Sequence, residues 1–102
     1  MPRKPHKETF PLTWRGVSCR VSHQRDFIEK GWSHIELRVT SRKAPPLPIT
    51  NTGYLSHFLA EDDLNAAGGP VAFFTAWLDR EAGNKRYLAQ LAKWQQLDLF
   101  SG

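Results

Sequence analysis

The stretch "SHIELRVTS", Ser33 to Ser41, decides the fold. Ile35, Leu37 and Val39 alternate with His34, Glu36, Arg38 and Thr40, a period of two that sends one set toward a core and the other toward water. Such a strand needs a neighbouring strand and a covering layer on one side only. The neighbour precedes it: in "VSCRVS", Val17, Cys19 and Val21 alternate with Ser18, Arg20 and Ser22. The polar connection "HQRDFIEKGW", with Gly31 as its turn residue, predicts antiparallel pairing, with Arg20 across from Glu36 or Arg38 on the outer face. Upstream, "FPLTWRG" reads as extended chain, either an earlier strand or the same strand interrupted at Gly16.

Downstream the pattern changes. Pro45, Pro46 and Pro48 in "RKAPPLP" end the strand and predict a stiff, extended crossover. In "ITNTGYLSHF" Gly53 marks a turn, and Tyr54 and Phe58 are expected to anchor into the core. "AEDDLNAAGG" reads as a short helix with acidic residues in its first turn, where the helix dipole favours them, and with Gly68 as its stop. Pro70 suits the first turn of the next helix, "PVAFFTAWLDREA", whose Val71, Phe74, Trp77 and Leu78 form an apolar stripe ended by Gly83. Asn84 can cap a third helix, "KRYLAQLAKWQQ", with Tyr87, Leu88, Leu91 and Trp94 on one face. The expected fold class is α+β: a small antiparallel β-sheet of two to four strands covered by two or three C-terminal α-helices.

At 102 residues, 40% hydrophobic and 24% charged, the chain has the size and composition of one globular domain. The expected division is a flexible basic arm over residues 1–9, the α+β domain over 10–95 and a linear motif over 96–102. The single cysteine, Cys19, excludes an internal disulfide framework, and no apolar segment follows the basic start "MPRKPHKETF", so a soluble cytoplasmic protein is expected. Charge is uneven. Residues 1–43 carry ten Lys and Arg against four Asp and Glu, although the whole chain has a net charge of only +4. That imbalance makes Arg3, Lys4, Lys7, Arg15, Arg20, Arg38, Arg42 and Lys43 candidate contacts to DNA or RNA phosphates.

Chemistry-bearing residues are sparse. No closely spaced His or Cys pair suggests a metal site, and no cofactor or catalytic residue is expected. His34 and Glu36 share a strand face and could serve acid–base chemistry only if His57 came near. Cys19 alternates inward and should be an inert thiol. Trp14 and Trp32 are expected to close the edges of the core. The reading is of a non-enzymatic protein.

"LPITNTGYLSHF", "AAGGPVAFFTAWLD" and "QLDLF" together resemble small uncharacterised proteins of bacterial plasmids and integrative elements, over Trp14 to Phe100. The resemblance implies a mobile-element setting and no particular reaction. Gln96, Leu97, Asp98, Leu99 and Phe100 also resemble the peptide by which bacterial proteins dock on the DNA sliding clamp (QL[S/D]LF). That resemblance implies an extended segment in a groove, with Gln96 hydrogen-bonded at its mouth, Asp98 facing solvent, and Leu99 and Phe100 in an apolar pocket. It predicts a chain that is extended or disordered after Gln95 when no partner is present. The functional expectation is therefore a clamp-docking accessory protein, with nucleic-acid binding by the basic first half as the alternative.

Overall fold

Arg15 and Gly16, both at positive φ, reverse the chain between Trp14 and Val17, which pair directly. This two-residue turn matches the twist of a hairpin, so "FPLTWRG" belongs to a separate first strand. The computed structural model describes residues 7–101, with side chains through residue 97. The strands are β1 (Lys7–Trp14), β2 (Val17–Arg25), β3 (Trp32–Val39) and β4 (Tyr54–Ala60), followed by α1 (Glu61–Ala66), α2 (Pro70–Glu81) and α3 (Lys85–Ser101). The sheet is antiparallel throughout, in the order β1-β2-β3-β4. The α+β class is as expected.

Alternation sorts the two faces. Leu12, Trp14, Val17, Cys19, Val21, Ile35, Leu37 and Leu59 are buried on one face together with Leu64 of α1, Phe74 and Leu78 of α2, and Tyr87 of α3. Burial pushes the Cys19 thiol pKa up, as an inert core cysteine requires. Trp14 fastens β1 to α2: its indole Nε1–H donates to Asp79 Oδ1 at 2.8 Å. A polar cluster ties α1 to the sheet, with His23 Nε2 2.9 Å from Ser33 Oγ, the Ser33 hydroxyl donating to Glu61, and Arg25 Nε 3.3 Å from Glu61 Oε1.

Helix boundaries follow local chemistry. Asn84 Oδ1 accepts from the backbone N–H groups of Arg86 and Tyr87 at 2.9 and 3.4 Å, capping α3 as its sequence predicts. Gly68 and Gly69, both at positive φ, break α1 from α2, and Pro70 opens α2.

Several expectations change. Lys7 to Thr9, assigned to the arm, are paired in β1 with Gln24 to Ser22. The proline segment is no crossover, because it joins the adjacent antiparallel strands β3 and β4, and its Leu47 is buried. Leu88 is 47% exposed, since Tyr87 and Leu91 define the packed face and Leu88 is turned about 100° from Tyr87. Trp32 and Phe58 are exposed too: pairing of Trp32 with Ala60 and of His34 with Phe58 places both rings on the outer face. Tyr54 shares that face and is half-buried there, outside the core.

Candidate nucleic-acid interface and C-terminal segment

The helices pack on the core face, and among the described residues none lies over the other. Register sets the composition of that outer face. Lys7, Gln24, His34 and Phe58 lie in one cross-strand row; Thr9, Ser22, Glu36 and Ser56 in the next; Pro11, Arg20, Arg38 and Tyr54 in a third. One end is aromatic. The His34 ring packs against both Phe27 (4.9 Å) and Phe58 (4.5 Å), which approach each other to 6.1 Å, and Trp32 stands exposed one row further on. The other end is cationic: Arg20 lies directly across from Arg38, and the Arg38 guanidinium sits 4.7 Å over the Tyr54 ring. Two arginines side by side repel, so the pair favours an anion above it.

Between the two ends Glu36 is already satisfied. The Tyr54 hydroxyl donates to it and Lys7 Nζ lies 3.0 Å from its other oxygen. The Tyr54 hydrogen bond, followed by Lys7, holds the Glu36 pKa below the ordinary glutamate value, and the same bond raises the Tyr54 pKa. Lys7 therefore has its charge balanced within the protein, and among the described residues Arg20 and Arg38 are the cations this face offers outward.

The predicted phosphate contacts separate accordingly. Lys7, Arg20 and Arg38 share the outer face. Arg42 and Lys43, both exposed, follow the end of β3 that carries Arg38. Arg15 lies in the β1–β2 turn with its guanidinium 4.8 Å over the Trp14 ring, and Trp14 belongs to the core face. Arg3 and Lys4 lie outside the described residues. The sequence reading turned His34 outward but missed Phe27, Trp32, Tyr54 and Phe58 as members of this surface. The signal was present: Trp32, His34, Tyr54 and Phe58 fall on the non-core parity of β3 and β4.

Acid–base chemistry by His34, Glu36 and His57 is not assembled. The pairing of Ile35 with His57 puts His57 on the core face, stacked on Phe73 at 5.4 Å and edge-on to Trp77 at 5.3 Å. The trio His23, Ser33 and Glu61 holds the right residue types for a nucleophile, but Ser33 is fully buried and its hydroxyl is committed to Glu61. Among the described residues no group of three or more His, Cys, Asp or Glu is placed to hold a metal ion.

The C-terminal segment is helical, not extended: α3 runs through Ser101. Residues 85–95 already form a capped helix, and Gln96, Leu97, Asp98 and Leu99 contain no glycine or proline to stop it, so propagation costs little. The segment does not belong to the core as far as its side chains are described. Gln95, Gln96 and Leu97 are exposed, Leu97 at 59%. The last turn carries no basic residue, and Asp98 stands close to a helix C-terminus, where the dipole disfavours it. The side chains of Asp98, Leu99 and Phe100 lie outside the described residues.

A family model described as the KlcB third domain matches residues 7–87. The chain belongs to the KlcB third-domain family. The match spans all four strands, α1, α2 and the start of α3, and so includes the whole outer face while ending before Gln96. No curated protein and no solved structure matches the chain. No helix among the described residues is long and apolar enough to cross a membrane.

Proposed function

We propose that this domain binds nucleic acid through the outer face of its sheet, as a non-enzymatic accessory protein of a bacterial plasmid or related mobile element. The observation that supports it is the joint placement of the outward-facing Arg20–Arg38 pair with exposed aromatic rings on one uncovered face. Guanidinium groups supply phosphate contacts, and planar rings supply surface for bases. KlcB proteins are plasmid-associated, which agrees with the mobile-element setting. The test is a binding titration over a salt series with DNA and RNA oligonucleotides. Each neutralised phosphate adds about 0.7 to 0.9 to the steepness of the salt dependence, so Arg20→Ala with Arg38→Ala should flatten it by roughly two such steps. No binding to any oligonucleotide at low salt ends the proposal.

A second reading keeps the C-terminal segment as a docking peptide for the bacterial sliding clamp. It is favoured by the complete Gln96–Phe100 motif together with the exposure of Leu97 on a weakly stabilised last turn. Docking as an extended peptide requires that turn to unwind. Titration of purified clamp with the wild type and with a Leu99→Ala, Phe100→Ala double variant separates the cases: equal binding by both, or by neither, removes this reading.

A further inference from the structure

We infer that the outer face takes single-stranded nucleic acid, one strand laid across the sheet with its bases stacked at the Trp32, His34 and Phe58 end and its phosphates held at the Arg20 and Arg38 end. The inference rests on the nucleic-acid reading above and sharpens it to a class of ligand. Three features select a single strand. First, the surface is a four-stranded antiparallel sheet, and the outer side of so broad a sheet does not enter the major groove, which admits a helix or a two-stranded ribbon. Second, its rings are usable only by bases that are already unstacked. Phe58 is 47% exposed and Trp32 46% exposed, on adjacent rows of the same face. Bases in a duplex keep their faces covered by their neighbours, whereas single-strand binders stack exposed bases on such side chains.

The third feature is spacing. His34 and Arg38 are four residues apart on β3, as are Tyr54 and Phe58 on β4. Four residues of strand span about 13 Å. The stacking end and the cationic end are therefore separated along the strands by a distance suited to the two or three bases that a sheet of this breadth displays. The stack itself is braced from within. Phe27 from the β2–β3 connection packs on both His34 (4.9 Å) and Phe58 (6.1 Å), so the three rings form one cluster in which each is held by the other two. A surface meant only to be solvated would gain nothing from rings held in this way, and the neighbouring arginines match a polyanion.

The test is fluorescence anisotropy of a labelled twelve-nucleotide single strand and of the duplex of the same sequence, each titrated with the full-length protein. Wild type should bind the single strand more tightly than the duplex. Phe58→Ala should weaken single-strand binding by about fivefold or more with an unchanged salt slope, whereas Arg20→Ala with Arg38→Ala should lower that slope. Phe58→Trp, which keeps a flat ring, should retain affinity and so exclude a folding defect as the cause of the loss. Duplex binding equal to or tighter than single-strand binding overturns the inference and leaves the nucleic-acid reading standing. Absence of binding to either overturns both. Sedimentation covers the remaining occupant: if the protein self-associates and Phe58→Ala abolishes association without changing oligonucleotide affinity, the aromatic end is a protein interface and the inference fails.

Discussion

Phe58 and Phe74 have the same side chain and opposite surroundings, so truncating each to alanine measures whether the outer face of the sheet is open. Phe74 is fully buried in the core, while Phe58 is 47% exposed among rings on the uncovered face. Phe74→Ala removes a whole ring and leaves a cavity, which costs about 3–5 kcal/mol. Phe58→Ala gives up only about half of a burial worth roughly 1.5–3 kcal/mol, near 1 kcal/mol, and leaves no closed cavity because solvent already reaches the site. For a domain of this size 1 kcal/mol shifts Tm by about 4–8 °C, so Phe58→Ala should melt only a few degrees below wild type. Phe74→Ala should lose several times as much, a large share of the roughly 5–15 kcal/mol that holds a domain together. Urea unfolding followed by circular dichroism, with comparable m-values, gives both numbers on one scale. Equal losses would mean that Phe58 is covered, and the candidate interface would not exist as a surface.

Other consequences are more local. Asn84→Ala removes the cap of α3 and should cost about 1 kcal/mol in the same urea titration. Deleting residues 96–102 should leave Tm nearly unchanged, because Gln96 and Leu97 are exposed; a drop of ten degrees or more would place the segment in the core. Tyr54→Phe should raise the Glu36 pKa toward the ordinary glutamate value, readable by NMR titration of its carboxyl carbon. Because folding depresses the Glu36 pKa, its stabilising contribution is present above the unfolded value and is lost as pH falls through the folded one. Acid destabilisation below about pH 4 should therefore be weaker in Tyr54→Phe than in wild type.

The architecture was readable because alternation is a local signal. Val17, Cys19, Val21, Ile35 and Leu37 announce their face within a few residues, and Gly68, Pro70 and Asn84 mark helix ends by backbone chemistry that needs no partner. Phe58 misleads for the opposite reason. A large ring is more often inside than outside, and only the pairing of His34 with Phe58, a contact between residues 24 positions apart, shows that its parity points outward. His57 is the mirror case, a polar side chain that the same register turns into the core against Phe73 and Trp77. The C-terminal turn departs from the extended form expected of it because a helix already nucleated and capped continues at small cost wherever no residue stops it.

One-sided packing also bears on why the outer face is built as it is. α1 and α2 supply one layer, and together with Tyr87 and Leu91 from the start of α3 and Leu47 of the proline segment they complete one core against one side of the sheet. Any aromatic side chain on the other side therefore keeps much of its ring in water, and the stability of the domain does not require Trp32 or Phe58 there. Polar residues would serve on a face meant only for solvent, as Thr9, Thr13, Ser18 and Ser56 do on the same surface. Instead, the exposed rings gather at one end, with His34 packed against Phe27 and Phe58, while Arg20 and Arg38 stand together at the other with Glu36 neutralised between them by Lys7 and Tyr54. Replacing Lys7 by methionine tests that last point. It should leave Glu36 as an uncompensated anion between the two ends and weaken oligonucleotide binding, even though Lys7 itself presents no free charge. A Lys7→Met, Glu36→Gln double variant should recover the lost affinity. If the single variant binds as wild type does, or if the double variant stays weak, the carboxylate between the ends has no bearing on the ligand and the division of this face into two cooperating ends is wrong.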